Sequence, residues 1–271
     1  MAFYELSKDA RQQLVTEIYR HLLSDLQASC TAHFLQYFSD KDTYIRKAAY
    51  QNTGRIFHAY RSLHEALFRT LDQLFQHENE HVRQTVVNAA GEIGMADFEL
   101  IADFMRRGLF DTHHCVRNAV IGSIKKMGEK NPEPVLAFAR QFLHHEDKEI
   151  RREICHGIEL RGRKHPQDIL PLLRELQHDK TARVKNTLVH VIGQIAYKKG
   201  CLETVIAHLQ TWGNQELVRK AIEEIIDVHY RYRNFSFYSQ AEAKTYIAQF
   251  FPVTHIPLGE KPKSKKVLLQ L

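Results

Sequence analysis

One feature limits what this chain can fold into more than any other: a β-branched apolar residue followed by a cation recurs along it at near-fixed spacing. It occurs as Ile45-Arg46, Val82-Arg83, Val116-Arg117, Ile150-Arg151, Val184-Lys185 and Val218-Arg219. The first step is 37 residues and every later one is 34. A fixed period in the thirties marks a helical solenoid, in which no unit buries its own apolar face and each stacks on its neighbours. Such a fold grows by adding units, so 271 residues read as one elongated domain.

Each unit reads as a helix A, a tight polar turn and a helix B. In the first, helix A runs through Thr31 to Phe38, the turn is Ser39-Asp-Lys-Asp42, and helix B starts near Thr43. The second has Leu63 to Phe75 before the turn His77-Glu-Asn-Glu80, and the third has Phe98 to Leu109 before Asp111-Thr-His-His114. Pro132 and Pro134, then Pro166, stand where a first helical turn tolerates proline. The three extra residues of the first step are expected in the loop around Tyr60-Arg-Ser62. Counted from the ladder cation, apolar or small residues recur at −1, +2, +3, +6, +7 and +10, a wide stripe facing helix A and the next unit. Glu153 interrupts that stripe and requires a partner, expected to be a neighbouring arginine. The fold class is therefore all-α, a solenoid of about six helix pairs with irregular caps. Residues 1–25 are expected as an N-terminal capping helix opened by Ser7, 26–230 as the solenoid, and 231–271 as a C-terminal cap helix, from Ser239 to Phe251, with a basic tail.

Charge matters here by its location. The formal net charge is +6, and from His229 onward seven cations face two anions, which leaves the body near +1. That weakens any reading of the whole solenoid as a phosphate groove. Cys30, Cys115, Cys155 and Cys201 lack any paired spacing and are expected to be reduced, mostly buried thiols. The N-terminal stretch lacks the basic and apolar regions of a signal peptide, and no apolar run reaches the roughly 20 residues of a membrane helix. A soluble, cytoplasmic protein without membrane contact is the expectation.

With the period, helix pair and apolar-cation signature in place, the chain resembles HEAT-repeat proteins over roughly residues 26 to 230. The likeness extends to an aspartate six residues before the ladder cation: Asp40 before Arg46, Asp111 before Arg117, Asp179 before Lys185. Elsewhere that position holds His77, His145 and Gly213. The resemblance implies a right-handed α-α superhelix with A helices on the convex side and B helices lining a concave face. It also implies scaffold or adaptor work, since this repeat specifies fold far better than function.

The six ladder cations are expected to be architectural, pairing with turn carboxylates and helix carbonyls within the stack. Partner-binding residues are sought instead at +1, +5, +8 and +12 of each B helix, outside the apolar stripe. The candidates are Lys47, Gln51, Gln84, Asn88, Asn118, Arg152, His156, Arg163, Asn186, His190, Lys220 and Arg231. Glu159, Tyr197, Glu224 and Asp227 share that register. Both charge signs and several amides occur, which suits a protein or peptide better than a polyanion.

No catalytic constellation, metal site or cofactor is expected. His77-Glu-Asn-Glu-His81 matches a zinc-protease pattern but falls in a turn, without the helix that pattern needs. HEAT-like iron enzymes carry His-Glu early in helix B, where this chain has Lys47-Ala48, Gln84-Thr85, Asn118-Ala119, Arg152-Glu153, Asn186-Thr187 and Lys220-Ala221. The pairs His113-His114 and His144-His145 read as exposed turn residues. The main expectation is a non-catalytic interaction module holding a protein or peptide on the concave face. The competing one is a nucleic-acid-binding or DNA-repair protein resembling HEAT-like alkylpurine DNA glycosylases. That second partner class would use Arg161-Gly-Arg-Lys164 and the tail cations Lys261, Lys263, Lys265 and Lys266. A glycosylase site would want stacked tryptophans, and Trp212, the single one, falls at a helix end.

Overall fold

The computed structural model describes residues 2–251, so Pro252, Pro257 and the basic tail lie outside the described residues. Those described form helices joined by short turns, in the order α1 (Lys8–Ala28), α2 (Ala32–Phe38), α3 (Thr43–Ala59), α4 (His64–Phe75), α5 (Glu80–Gly94), α6 (Ala102–Leu109), α7 (His114–Lys130), α8 (Pro132–Phe142), α9 (Lys148–Gly157), α10 (Glu159–Gly162), α11 (Pro166–Glu175), α12 (Ala182–Ala196), α13 (Leu202–Leu209), α14 (Gln215–Arg231) and α15 (Gln240–Ala248). Among the described residues no helix is long and apolar enough to cross a membrane. The six pairs are α2/α3, α4/α5, α6/α7, α8 with α9 and α10, α11/α12 and α13/α14. The inserted residues of the first step form a 3-10 turn, Arg61–Leu63.

Local chemistry sets the helix starts. A side-chain acceptor four residues before the ladder cation caps helix B, because the first amides of a helix have no partner within it. Asp42 accepts from the Tyr44 amide, Asn79 from His81 and Asp147 from Glu149, each at 2.8 Å. Pro132 and Pro166 open α8 and α11. Ser7 caps α1 through the Ala10 amide at 3.1 Å, and a reciprocal Ser239–Glu242 box starts α15.

The fourth B helix departs from expectation. It breaks at Ile158 into α9 and α10, and hydrogen bonds beyond the break tighten to the three-residue spacing of Arg163 to Leu160. The buried Gly157 marks the point of close approach, since a Cβ there would stand 3.1 Å from Ile124 Cγ2 of α7.

The core is continuous along the stack, as the apolar stripe requires. Val184, Leu188, Val191, Ile192 and Ile195 of α12 are buried, as are Val218, Ala221, Ile222, Ile225 and Ile226 of α14. Successive B helices pack extensively on one another, α3 on α5 and onward to α14, while A helices meet their neighbours at few points. The B helices thus form the more closely packed row, the one that the resemblance places on the concave side. Of the cysteines, all free thiols, Cys155 and Cys201 are buried while Cys115 is half-buried. Cys30 is exposed, two residues past the end of α1, which closes at Ser29 in a left-handed turn (φ 54°).

The ladder ties the units together, with one change from the expected pairing. Each of the first four cations donates to two carbonyls of its own A-to-B turn, six and five residues before it. Arg83 donates to His77 O and Glu78 O at 2.8 Å each, and Arg151 to His145 O and Glu146 O at 2.7 and 2.9 Å. The turn aspartate, however, pairs with the arginine of the preceding repeat. Asp111 receives Arg83 at 2.7 and 3.0 Å, and Asp179 receives Arg151 at 2.6 and 3.3 Å. Where the next turn carries histidine instead, the arginine finds another acceptor: Arg117 reaches Glu153 at 3.2 Å and Arg46 reaches Gln84 at 3.4 Å. Glu153, only 2% exposed, has the arginine partner its burial demands. Among the described residues Lys185 and Arg219 make none of these bonds, so the carbonyl contacts cover four rungs of six and the expected ion pairs three, Arg46 reaching the neutral Gln84 instead.

Candidate functional site

The inner face is assembled from B-helix positions outside the apolar stripe, and its densest part lies where α7, α9, α10, α12 and α14 pass one another. Glu159 is at its centre, brought inward by the break before α10 and 2% exposed. Its carboxylate accepts from Lys125 Nζ at 3.1 Å, from His156 Nε2 at 3.1 Å and from the Arg163 guanidinium. Burial alone would raise this carboxyl; the His156 hydrogen bond and the Lys125 and Arg163 charges outweigh it and hold Glu159 well below the usual range. A carboxylate so held is ionised and a weak base.

The network continues toward the C-terminal end. Arg163 also donates to Gln194 Oε1 at 3.1 Å, and among the described residues Arg163 Nε and Gln194 Nε2 have no partner. His190 Nδ1 stands 3.7 Å from Glu224 Oε1, and Arg231 pairs with both Glu224, at 2.6 Å, and Asp227. Tyr197 and Tyr232 stack at 5.3 Å and 11°, with Arg163 and Arg231 over their rings. Toward the N-terminal end, Lys126 bonds Glu92 at 2.9 Å and sits 5.2 Å over the Tyr50 ring.

The twelve candidates therefore divide. His156, Arg163, His190 and Arg231 are gathered in this network. Arg152 is bound to Glu149 at 2.9 Å and Glu153 at 3.2 Å, and Lys220 to Glu216 at 2.6 Å. Gln84 serves the ladder, and Asn88 donates to the Gln84 carbonyl of its own helix at 3.0 Å. Among the described residues Lys47, Gln51, Asn118 and Asn186 have no side-chain bond, and of these Lys47, Asn118 and Asn186 are exposed. Glu92, Lys126 and Gln194 escaped the sequence reading. All three sit nine residues after the ladder cation, within one turn of both +5 and +12, so the helical period itself places them on this face.

Several sequence motifs lose their functional reading. Arg161 pairs with Asp168 at 2.6 Å, Arg163 with Glu159, and Lys164 with Glu129 at 2.8 Å, so the basic run 161–164 is neutralised. Trp212 is a core residue, 1% exposed, with its indole N–H donating to His208 Nδ1 at 2.8 Å. His77 accepts from the Asn79 amide in the turn while α5 begins only at Glu80, so His77 and His81 share no helix. His144 is exposed and paired with Glu175 at 2.8 Å.

Comparison with solved structures places this fold among helical solenoids. AlkD2 from Streptococcus mutans is 17% identical, over 72% of this chain and 97% of that one, with a TM-score of 0.52. Pseudomonas fluorescens alkylpurine DNA glycosylase AlkC, solved bound to DNA containing an abasic site analog, is 14% identical over 78% of this chain and 62% of its own (TM-score 0.45). A computationally designed armadillo repeat protein for modular peptide recognition is 18% identical over 72% of this chain and 98% of that one (TM-score 0.34). No family model and no curated protein matches the sequence.

Proposed function

We propose that the chain is a non-catalytic interaction module that holds an extended polypeptide along the inner B-helix face. One observation carries this reading: Lys125, Arg163 and Arg231 on that face are already paired with carboxylates, while Asn118 and Asn186 remain exposed and unbonded among the described residues. A polyanion needs free cations, because its binding is driven by phosphate neutralisation and counterion release. A peptide backbone needs paired donors and acceptors, and a side-chain amide offers both. Glu159, ionised and held by three donors, has no proton-accepting role to offer a reaction at neutral pH.

The test is a peptide-display selection against the full chain, followed by affinity measurement on Asn118→Ala with Asn186→Ala. Two lost hydrogen bonds of about 0.5–1.5 kcal/mol each should weaken the selected peptides by roughly tenfold. Selected peptides that bind the double variant unchanged, or a selection that enriches nothing, would refute the reading. Oligonucleotide binding at low salt that falls steeply as salt rises would favour the nucleic-acid alternative.

A further inference from the structure

We propose that His156, Glu159 and His190 form a binding site for a divalent transition metal, with zinc the best fit to the donor set. One ligand atom from each of the three lies within 4.8 Å of the other two. Among the described residues no other trio of His, Cys, Asp or Glu groups comes so close. His156 Nε2 is already 3.1 Å from Glu159 Oε2, and the imidazole centroids are 5.9 Å apart. A tetrahedral zinc ion with bonds of about 2.0–2.2 Å would draw such atoms together by a small rotation of the rings.

The stacking of repeats makes this site. His156 and His190 each stand five residues after their ladder cation, so the two imidazoles are equivalents from consecutive units. The break before α10 turns Glu159 to meet both. The histidines line an open depression with Arg152, Arg183, Asn186 and Thr187, which leaves a fourth coordination position facing the groove. Two imidazoles and one carboxylate with an open position are a zinc set; magnesium and calcium would want oxygen donors throughout.

Outer groups suit the role. Glu224 lies 3.7 Å from His190 Nδ1, placed to take that N–H when Nε2 binds the metal, and Arg231 fixes Glu224. Arg163 holds Glu159 by Oε1 and leaves Oε2 toward His156. One group competes: Lys125 Nζ is 3.1 Å from the same Oε2 and must give way. The local carboxylates Glu159, Glu224 and Asp227 are balanced by Lys125, Arg163 and Arg231, so affinity rests on the ligands rather than on a negative field. The site stands independently of the peptide reading, since neither requires the other.

The experiment titrates metal-free, untagged full-length chain with zinc by calorimetry and with cobalt by visible absorption. Expected are one ion per chain, the absorption of a four- or five-coordinate cobalt site, and a rise in Tm with zinc. His190→Gln, at a side chain 45% exposed and so compatible with the fold, should lower affinity at least about tenfold. His156→Gln with His190→Gln should abolish stoichiometric uptake. Glu224→Gln should weaken it about 10-fold, and Lys125→Met should tighten it. No uptake by the parent chain, or uptake unchanged in the double histidine variant while circular dichroism stays native, would overturn the proposal.

Discussion

Truncating Arg151 tests the ladder as the device that fixes one repeat on the next. Its guanidinium donates to His145 O, Glu146 O, Asp179 and Thr181 Oγ1, and the side chains of Arg151 and Asp179 are 15% and 6% exposed. Arg151→Ala leaves Asp179 shielded from water, with the Thr181 amide, at 2.7 Å, still donating to it. Breaking a buried pair from one side costs about 3–5 kcal/mol, most of it the stranded charge. The pair's own coupling, from a cycle with Asp179→Ala, should be about 1.5–3 kcal/mol. The neutral Arg46–Gln84 contact at 3.4 Å should give no more than about 0.5–1.5 kcal/mol in the same cycle. Urea unfolding followed by circular dichroism gives the totals, and hydrogen exchange in α12 locates the loss at the junction of the fourth and fifth units. Acid provides a second reading. Burial opposes the Asp179 charge, but the Arg151 hydrogen bond and the Thr181 amide outweigh it and hold its pKa below the ordinary 3.8. The stability from this group is therefore complete above 3.8 and disappears as pH falls through the lowered value; Asp179→Asn removes that part of the acid slope. A coupling below about 0.5 kcal/mol, or one no larger than that of Arg46–Gln84, would refute the ladder argument.

Other expectations follow from particular contacts. Gly91→Ala puts a Cβ against Ser123 Oγ and 3.3 Å from its Cα, forcing α5 and α7 apart. Overpacking of about 1–3 kcal/mol should exceed the helix propensity gain of about 1 kcal/mol, and added Ser123→Gly should restore the Tm. His229, 0% exposed, donates Nδ1–H to Ile225 O at 2.7 Å and is kept neutral by burial, which lowers its pKa from 6.5. Unfolding frees it to protonate, so its share of stability is full above 6.5 and falls as pH drops toward the lowered value. His229→Phe should flatten the stability curve in that window, read by urea midpoints at successive pH. Glu216→Gln breaks an exposed pair with Lys220 and should leave the urea midpoint nearly unchanged, any difference disappearing as salt is added.

Much of the fold was legible because repetition is a linear property. Polar turns before the ladder cation, apolar positions at −1 and +3 and the helix-opening prolines each act within a few residues, and they placed the helices within a turn of where they lie. The break at Ile158 was not legible, since it answers the approach of α7 at Gly157. Nor was the sense of the aspartate pairing, because six residues along the chain and one repeat forward look alike until the stack is built.

The sequence by itself determined the solenoid, its repeat count and which B-helix positions lie outside the apolar stripe, since period, stripe and register are all one-dimensional. Only the tertiary structure decided which inner-face groups remain available. Ion pairs such as Lys125–Glu159, Lys126–Glu92 and Lys164–Glu129 join residues 34 or 35 positions apart, and whether each is made depends on how one unit settles on the next. His156 and His190 show the same limit: each is a lone histidine in its own helix, and stacking brings both to one buried carboxylate.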